Sequence, residues 1–167
     1  VGERARLMQA LPTGGEMVAV SADEELVSAA IADYESIAIA AVNGPRNTVI
    51  SGEQAEVRQL LEELAAKAIR AQRLTVSHAF HSPLMKPILS EFMSVAKTVS
   101  YSPPKIKLVS NMTGQVIAER IASPDYWCEQ ILKPVLFSKG MQTLRDERID
   151  AFIEIGPRPT LQSLGQQ

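Results

Sequence analysis

Two histidines stand three positions apart in a segment that could place a titratable group at a turn. His78 and His81 are the only histidines among the 167 residues, and the segment from 78 to 85 reads His-Ala-Phe-His-Ser-Pro-Leu-Met. An alternating run over 70–76 precedes this segment and an amphipathic pattern follows it, which predicts a strand-to-helix turn. Such turns often carry catalytic groups, and an imidazole exchanges a proton near neutral pH. The segment is therefore the first candidate for acid–base chemistry.

Other interpretations of the same residue types stay open. His81 could cap the helix that follows, and His78 could line a pocket or only pack. The two histidines could also hold a metal, but Cys128 is the single soft ligand left, and zinc takes three or four ligands. Arg4 and Arg6, near the start of the chain, could form a solvated helix face.

The composition is that of an ordinary globular protein. Apolar residues make up 46%, charged residues 22%, and the formal net charge is −2. No basic cluster occurs, so nucleic acid is not expected as a partner. No apolar run approaches the roughly 18 residues that predict a membrane span, so no membrane contact is expected. The single cysteine, Cys128, allows no internal disulfide and indicates a reducing, cytoplasmic compartment.

The first half of the chain predicts the order strand, helix, strand, strand, helix, strand. A helix that ends at Pro12 comes first, and Ser21 or Asp23 can cap the helix whose buried face would include Leu26 and Val27. The predicted strands cover 17–20, 37–42, 48–51 and 74–76, with a turn at 43–46 and a strong helix over 53–67. This order within roughly 60 residues is typical of a ferredoxin-like unit.

The second half predicts a different packing. Its predicted elements are a helix over 84–99, a strand over 106–110, a turn over 111–114, helices over 124–131 and 138–146, and a strand over 151–155. Strands that alternate with helices favour α/β packing around a parallel sheet.

Five segments, in this order along the chain, carry a resemblance to a known family. They are the arginine-bearing helix at 3–9, the Asn-Gly-Pro turn at 43–45, the histidine segment at 78–85, the Tyr-Trp…Pro-Val…Phe block at 126–137, and Phe-Ile-Glu-Ile-Gly-Pro from 152. Together they resemble the acyltransferase domains of modular type I polyketide synthases. They span nearly the whole chain.

The resemblance implies a fold and a reaction. Residues 1–16 and 78–167 would belong to a large, α/β-hydrolase-like subdomain, and residues 17–77 would form an inserted ferredoxin-like small subdomain. The implied reaction transfers malonyl from malonyl-CoA to the phosphopantetheine thiol of an acyl carrier protein, through an acyl-serine and without a metal or other cofactor.

The resemblance also implies a role for each candidate residue. His81 would be the base and then the acid, and the backbone carbonyl of Gln130 would orient its ring. Arg4 would pair with the malonyl carboxylate, for which a guanidinium fork is suited. Phe80 would fill the space of an α-methyl group, because His-Ala-Phe-His resembles the malonyl-selecting form and Tyr-Ala-Ser-His the methylmalonyl-selecting one. His78 would line the substrate pocket or pack beside it.

One part of the family pattern is missing from this sequence. The nucleophile of the family sits in a Gly-x-Ser-x-Gly turn, and no two glycines here flank a serine at that spacing. The chain is therefore expected to be the C-terminal portion of such a domain and inactive alone. Its incomplete large subdomain would expose an apolar face that self-associates or binds the missing N-terminal part.

Two other functions remain open at this point. The ferredoxin-like unit could be a non-catalytic module that docks an acyl carrier protein or a small ligand. The chain could also come from a discrete malonyl transacylase of the fatty-acid type, although the Tyr126–Trp127 block favours the modular synthase.

Overall fold

A four-stranded antiparallel sheet organises the first half of the chain in the computed structural model, which describes residues 1–166. The elements in order are α1 (Gly2–Gln9), β1 (Gly15–Val20), α2 (Glu24–Ala30), β2 (Ala38–Gly44), β3 (Asn47–Glu53), α3 (Gln54–Ala66) and β4 (Ala71–Arg73). The strands lie in the order β2-β3-β1-β4, and every neighbouring pair is antiparallel. From β1 to β4 the order of elements is therefore the one that the sequence predicts.

The sheet buries apolar side chains on both faces because successive residues of a strand point to opposite sides. Val18 and Val20 of β1 pack with α2 and α3 in a cluster that also contains Ile50 and Leu60. The opposite face carries a second cluster of Met17, Ala40 and Val49, against which Phe80 packs. The sheet thus supports the histidine segment with the face that its own helices leave uncovered.

The second half is mainly helical. It contains a 3-10 helix (Pro83–Ile88), α4 (Leu89–Ala96), the short hairpin β5 (Leu108–Val109) and β6 (Val116–Ile117), a second 3-10 helix (Glu119–Ala122), α5 (Pro124–Leu132), α6 (Phe137–Asp146) and α7 (Thr160–Gly165). A cluster of Leu7, Met8, Met85, Ile88 and Ile131 joins α1 to the first 3-10 helix and α5. Within residues 1–166, every helix is too short or too polar to cross a membrane.

The predicted parallel sheet does not form within the described residues. Residues 151–155 pair with no strand there, and the predicted strand over 106–110 shrinks to two residues in the hairpin with β6. The parallel pairing in this part of the chain is one bridge between Ala41 and Val135. A strand needs the N–H and C=O groups of a neighbour, and none lies beside 151–155. Ile153 and Ile155 are consequently 89% and 97% exposed.

Two further predicted elements differ in extent. The helix predicted over 84–99 is divided, because Pro87 has no N–H to donate and the chain there forms a 3-10 turn before α4. The fourth strand is Ala71–Arg73 and not 74–76, since those three residues form the ladder with β1; Leu74 adds one bond beyond it, from its N–H to Met17 O at 2.9 Å. In α2, Asp23 is the N-cap and Val27 is buried, but Leu26 is 40% exposed.

Helix α7 (Thr160–Gly165) is absent from the sequence prediction, and its first turn is capped by a residue that lies before the helix. The carboxylate of Glu154 accepts hydrogen bonds from the backbone N–H groups of Thr160, Leu161 and Gln162, each at 3.0 Å. These bonds satisfy donors that a helix leaves free in its first turn, and they lower the pKa of Glu154. Glu154, which lies in the predicted strand over 151–155, therefore caps α7 instead.

Gly15 permits a close backbone contact between β1 and the histidine segment. A Cβ atom at this position would lie 2.3 Å from the backbone nitrogen of Ala79. We expect Gly15→Ala to lower the free energy of unfolding by about 1–3 kcal/mol, since one backbone segment must move. Urea denaturation measures this change. The control is Gly2→Ala, where a Cβ meets nothing within 4 Å; equal stability of the two variants would contradict the proposed contact.

Candidate active site

His81 lies in the loop between β4 and the first 3-10 helix, in a conformation that few residues adopt. Its φ angle is +60°, in the left-handed region, where histidine is more common than most non-glycine residues. Ser82, and not His81, caps the helix: its hydroxyl accepts from Leu84 N at 3.2 Å and donates to Ala79 O at 2.7 Å. The capping interpretation of His81 is therefore wrong. Residues held in such backbone conformations are frequent at functional sites.

The hydrogen bond of His81 determines which ring nitrogen can act as a base. Nδ1 lies 2.7 Å from the backbone oxygen of Lys133, and a carbonyl can only accept, so Nδ1 carries the proton. In the neutral ring, Nε2 then holds the free electron pair. No hydrogen-bond partner for Nε2 is found in the part of the chain that the structure describes. This nitrogen can take a proton from an incoming group.

The carbonyl that lies 2.7 Å from Nδ1 belongs to Lys133, whereas the sequence predicts the carbonyl of Gln130. Lys133 is the C-cap of α5, and its ψ angle of 148° turns its carbonyl away from the helix. The residue before a proline is driven out of the helical region, and Pro134 follows directly. The Gln130 carbonyl is a weaker second contact, since both carbonyls raise the pKa of His81 but Lys133 contributes more.

Arg4 is held near His81 by the side chain of Gln130. The Arg4 guanidinium donates to Gln130 Oε1 through Nη1, and its half-burial lowers the pKa of Arg4. Arg6 behaves differently, because it is exposed and pairs with Glu3 at 2.8 Å and Glu91 at 2.7 Å. The two arginines of α1 therefore do not share one solvated face. Only Arg4 belongs to the site.

Burial and charge together keep His81 neutral. Desolvation is the larger cause that lowers the pKa of His81, and the nearby positive charge of Arg4 lowers it further. The carbonyls of Lys133 and Gln130 oppose this shift in part. The pKa of His81 stays below its ordinary value of about 6.5, so the ring is an unprotonated base at neutral pH.

His78 is only 2% exposed and has the opposite tautomer. Its Nε2 donates to Leu11 O at 3.1 Å, and its Nδ1 accepts from the Ser77 hydroxyl at 2.9 Å. Both nitrogens are thus engaged, which favours the packing role over a contact with substrate. Within residues 1–166, no group of three or more His, Cys, Asp or Glu side chains could hold a metal.

Phe80 connects the site to the sheet. Its half-buried ring packs against the Met17–Ala40–Val49 cluster and against the cluster around Leu7 and Met85. It also lies 6.1 Å from the His78 ring, centroid to centroid. The ring position next to His81 is therefore set by both halves of the chain.

Comparison with known proteins identifies the family. The family model for the acyl transferase domain matches residues 1–167. This chain belongs to the acyltransferase domain family. The resemblance to polyketide synthases is confirmed by relatives such as polyketide synthase GfsA of Streptomyces halstedii, 43% identical over 98% of this chain and 2% of that protein. Phenolphthiocerol synthesis polyketide synthase Pks15/1 of Mycobacterium bovis is 45% identical over 92% of this chain and 7% of its own length.

Solved structures agree with this assignment. The acyltransferase domain from the second module of the salinomycin polyketide synthase has a TM-score of 0.93 and 40% identity, covering 98% of this chain and 38% of that one. Malonyl CoA-acyl carrier protein transacylase from Clostridium perfringens has a TM-score of 0.91 and 29% identity, and the match covers 98% of this chain and 54% of that one. The chain thus spans about two-fifths to one-half of the solved acyltransferases, and it shares their mixed α/β content.

The electrostatic contact between Arg4 and His81 can be tested by titration. We expect Arg4→Gln to raise the pKa of His81 for two reasons. A cation that opposes protonation is removed, and the shorter side chain lets water reach the ring and stabilise its charged form. NMR titration of the two histidine rings measures the midpoint. Arg6→Gln, which changes an exposed arginine on the same helix, should leave the midpoint of His81 unchanged. An unchanged midpoint in Arg4→Gln would show that the two side chains are not neighbours.

Proposed function

We propose that this chain carries the base and the carboxylate-binding half of an acyltransferase site that moves malonyl from CoA to an acyl carrier protein of a modular polyketide synthase. The observation that carries the proposal is the His81 ring, neutral and hydrogen-bonded through Nδ1, with Nε2 unengaged and Arg4 close by. A base and a carboxylate partner side by side suit a substrate with a thioester at one end and a carboxylate at the other.

In the first half-reaction, His81 Nε2 takes the proton of a serine hydroxyl while that oxygen attacks the thioester carbonyl of malonyl-CoA. The carbon–sulfur bond breaks, and the CoA sulfur leaves with the proton from Nε2. In the second, the phosphopantetheine thiol gives its proton to Nε2 and attacks the malonyl ester, and the serine oxygen recovers that proton. Throughout, the Nδ1–H bond to Lys133 O stabilises the imidazolium that forms.

Arg4 supplies selection for a carboxylate. Its guanidinium can bind two carboxylate oxygens with parallel hydrogen bonds, and half-burial strengthens this pairing because water screens it less. Gln130 Oε1 occupies one N–H group and fixes the fork in position. An acetyl group would leave Arg4 without its partner, which disfavours acetyl-CoA. The acyltransferase domain of SpnD, a structural neighbour solved in complex with 2-(pent-4-yn-1-yl)malonyl, supports a malonyl-type acyl group.

The proposal includes the domain organisation. The βαββαβ order and the strand order β2-β3-β1-β4 support a ferredoxin-like small subdomain over 17–77, inserted in an α/β-hydrolase-like large subdomain of residues 1–16 and 78–167. The nucleophilic serine would come from a further segment of that subdomain. In this proposal, that further segment packs on the exposed side chains of Phe152, Ile153 and Ile155. The chain alone would self-associate through the same surface, which size-exclusion chromatography would detect. The reaction would take place in the cytoplasm, in line with the single cysteine.

A chimaeric domain tests this function. Residues 1–167 replace the matching segment of the salinomycin second-module acyltransferase domain, which keeps its own nucleophile. With malonyl-CoA, intact mass should show a malonyl adduct that acyl carrier protein removes. His81→Ala should slow the transfer by about 10²- to 10⁴-fold, and Arg4→Gln should slow malonyl transfer while sparing acetyl transfer.

The matched control for this experiment is Arg6→Gln, which should transfer at the rate of the parent chimaera. Full activity in His81→Ala would refute the assigned base. The 167-residue chain alone should acquire no adduct, because it contains no Gly-x-Ser-x-Gly turn. An adduct on that chain would refute the assignment of the nucleophile to another segment.

The same chimaera tests the role of Phe80. Phe80→Ser opens space beside His81, so the preference for malonyl over methylmalonyl should fall by about tenfold or more, which is the effect of accommodating one methyl group. Competition between the two CoA esters, resolved by mass, measures the ratio. Phe92, half-buried in the same cluster, provides the control for loosened packing. If Phe92→Ser shifts the ratio as much as Phe80→Ser, then Phe80 is not the selecting wall.

A further inference from the structure

Strand β2 is an edge strand of the four-stranded sheet, and one short segment of the second half covers its open side. Val135 N donates to Ala40 O at 2.9 Å, and Val42 N donates to Val135 O at 2.9 Å. These two bonds form the parallel bridge between Ala41 and Val135. We call Lys133–Leu136 the strap. Both the backbone N–H and the backbone C=O of Val135 are hydrogen-bonded to β2.

The other residues of the strap are also anchored through the backbone. Lys133 N donates to Glu129 O at 2.9 Å, as the last bond of α5, and Leu136 N donates to Asn111 O at 2.7 Å. Between these anchors stands Pro134, whose ring fixes its own φ angle. The strap therefore has little freedom between α5 and β2.

This arrangement controls the direction of the Lys133 carbonyl. Rotation about ψ of Lys133 moves its carbonyl oxygen and the following residues together. Helix α5 fixes the nitrogen side of Lys133, and the bridge to β2 fixes Val135 on the other side. The carbonyl can then point in one direction, and in that direction it meets His81 Nδ1 at 2.7 Å.

We propose that Val135 is a positioning residue: its backbone bridge to β2 aims the Lys133 carbonyl and so holds His81 in the Nδ1–H tautomer. The inference rests on the proposed function only in that His81 is the base. It assigns a task to the small subdomain, whose edge strand determines which nitrogen of a ring in the other part of the chain is free to accept a proton.

Val135→Pro tests the proposal, since it removes the N–H that binds Ala40 O. Two-bond proton–nitrogen NMR correlations of the histidine rings, recorded on the 167-residue chain at about pH 8, report each tautomer. We expect the ratio of Nδ1–H to Nε2–H at His81 to fall roughly fivefold, as expected for the loss of one hydrogen bond. Val135→Ala, which keeps both backbone bonds, should retain the parent tautomer.

His78 is the internal reference because its Nε2–H tautomer depends on Leu11 and not on the strap. A folded Val135→Pro chain with an unchanged Nδ1–H tautomer at His81 would overturn the proposal. If that variant does not fold, Val42→Pro can replace it, because it removes the other bridge bond, from Val42 N to Val135 O. The same fall in the ratio of Nδ1–H to Nε2–H at His81 is expected. In the unmodified chain, the amides of Val42 and Val135 should be protected from hydrogen exchange, and exchange as fast as in a free peptide would also overturn it.

The tautomer readout separates this inference from the proposed function. It is measured without substrate, nucleophile or carrier protein, so an inactive chimaera leaves it unaffected. Conversely, an active chimaera that depends on His81 supports the function even where the strap variants keep their tautomer. In the chimaera, Val135→Pro should lower kcat more than it raises KM, because it disturbs the base and not the Arg4 contact.

Discussion

The hydrogen bond from His81 Nδ1 to the Lys133 carbonyl is the contact on which the rest of the site depends. It fixes the proton on one nitrogen and leaves the other as a base, and no side chain is needed as a third member. A backbone carbonyl can do this only if the chain around it is rigid. The end of α5, the ring of Pro134 and the bridge at Val135 provide that rigidity. The left-handed conformation of His81 completes the alignment from the other side.

The second constraint is electrostatic. In the proposed function, Arg4 must stay charged to bind a carboxylate, whereas the neighbouring His81 must stay neutral to accept a proton. Partial burial serves both purposes: it favours the neutral imidazole, and it strengthens the pairing of a guanidinium with an anion. Arg4 adds to the effect on the ring, because a second positive charge beside it is unfavourable. Gln130 holds the guanidinium in place, a task for its side chain that the sequence did not suggest.

The residue types and their order were sufficient to find the family. They also singled out His81 and Arg4 as candidates, because imidazole and guanidinium chemistry is visible in sequence. The orienting carbonyl was predicted at Gln130, and the structure adds a stronger contact from the Lys133 carbonyl. Backbone groups carry no residue signal, and only Pro134 indicated that the helix must end there. The first three strands of the small sheet were predicted because burial on both faces makes them short, mainly apolar runs, whereas the fourth was predicted over 74–76 and lies at 71–73. The prediction of a strand over 151–155 was wrong, because an apolar strand needs a neighbouring strand to pair with and the described residues contain none beside it.

The most direct test of this account is the tautomeric state of the two histidines in the unmodified 167-residue chain. Two-bond proton–nitrogen correlations resolve which ring nitrogen carries the proton in each. We expect opposite tautomers: Nδ1–H at His81, donated to Lys133 O, and Nε2–H at His78, donated to Leu11 O. An Nε2–H tautomer at His81 would contradict it, because the nitrogen assigned as the base would already hold a proton.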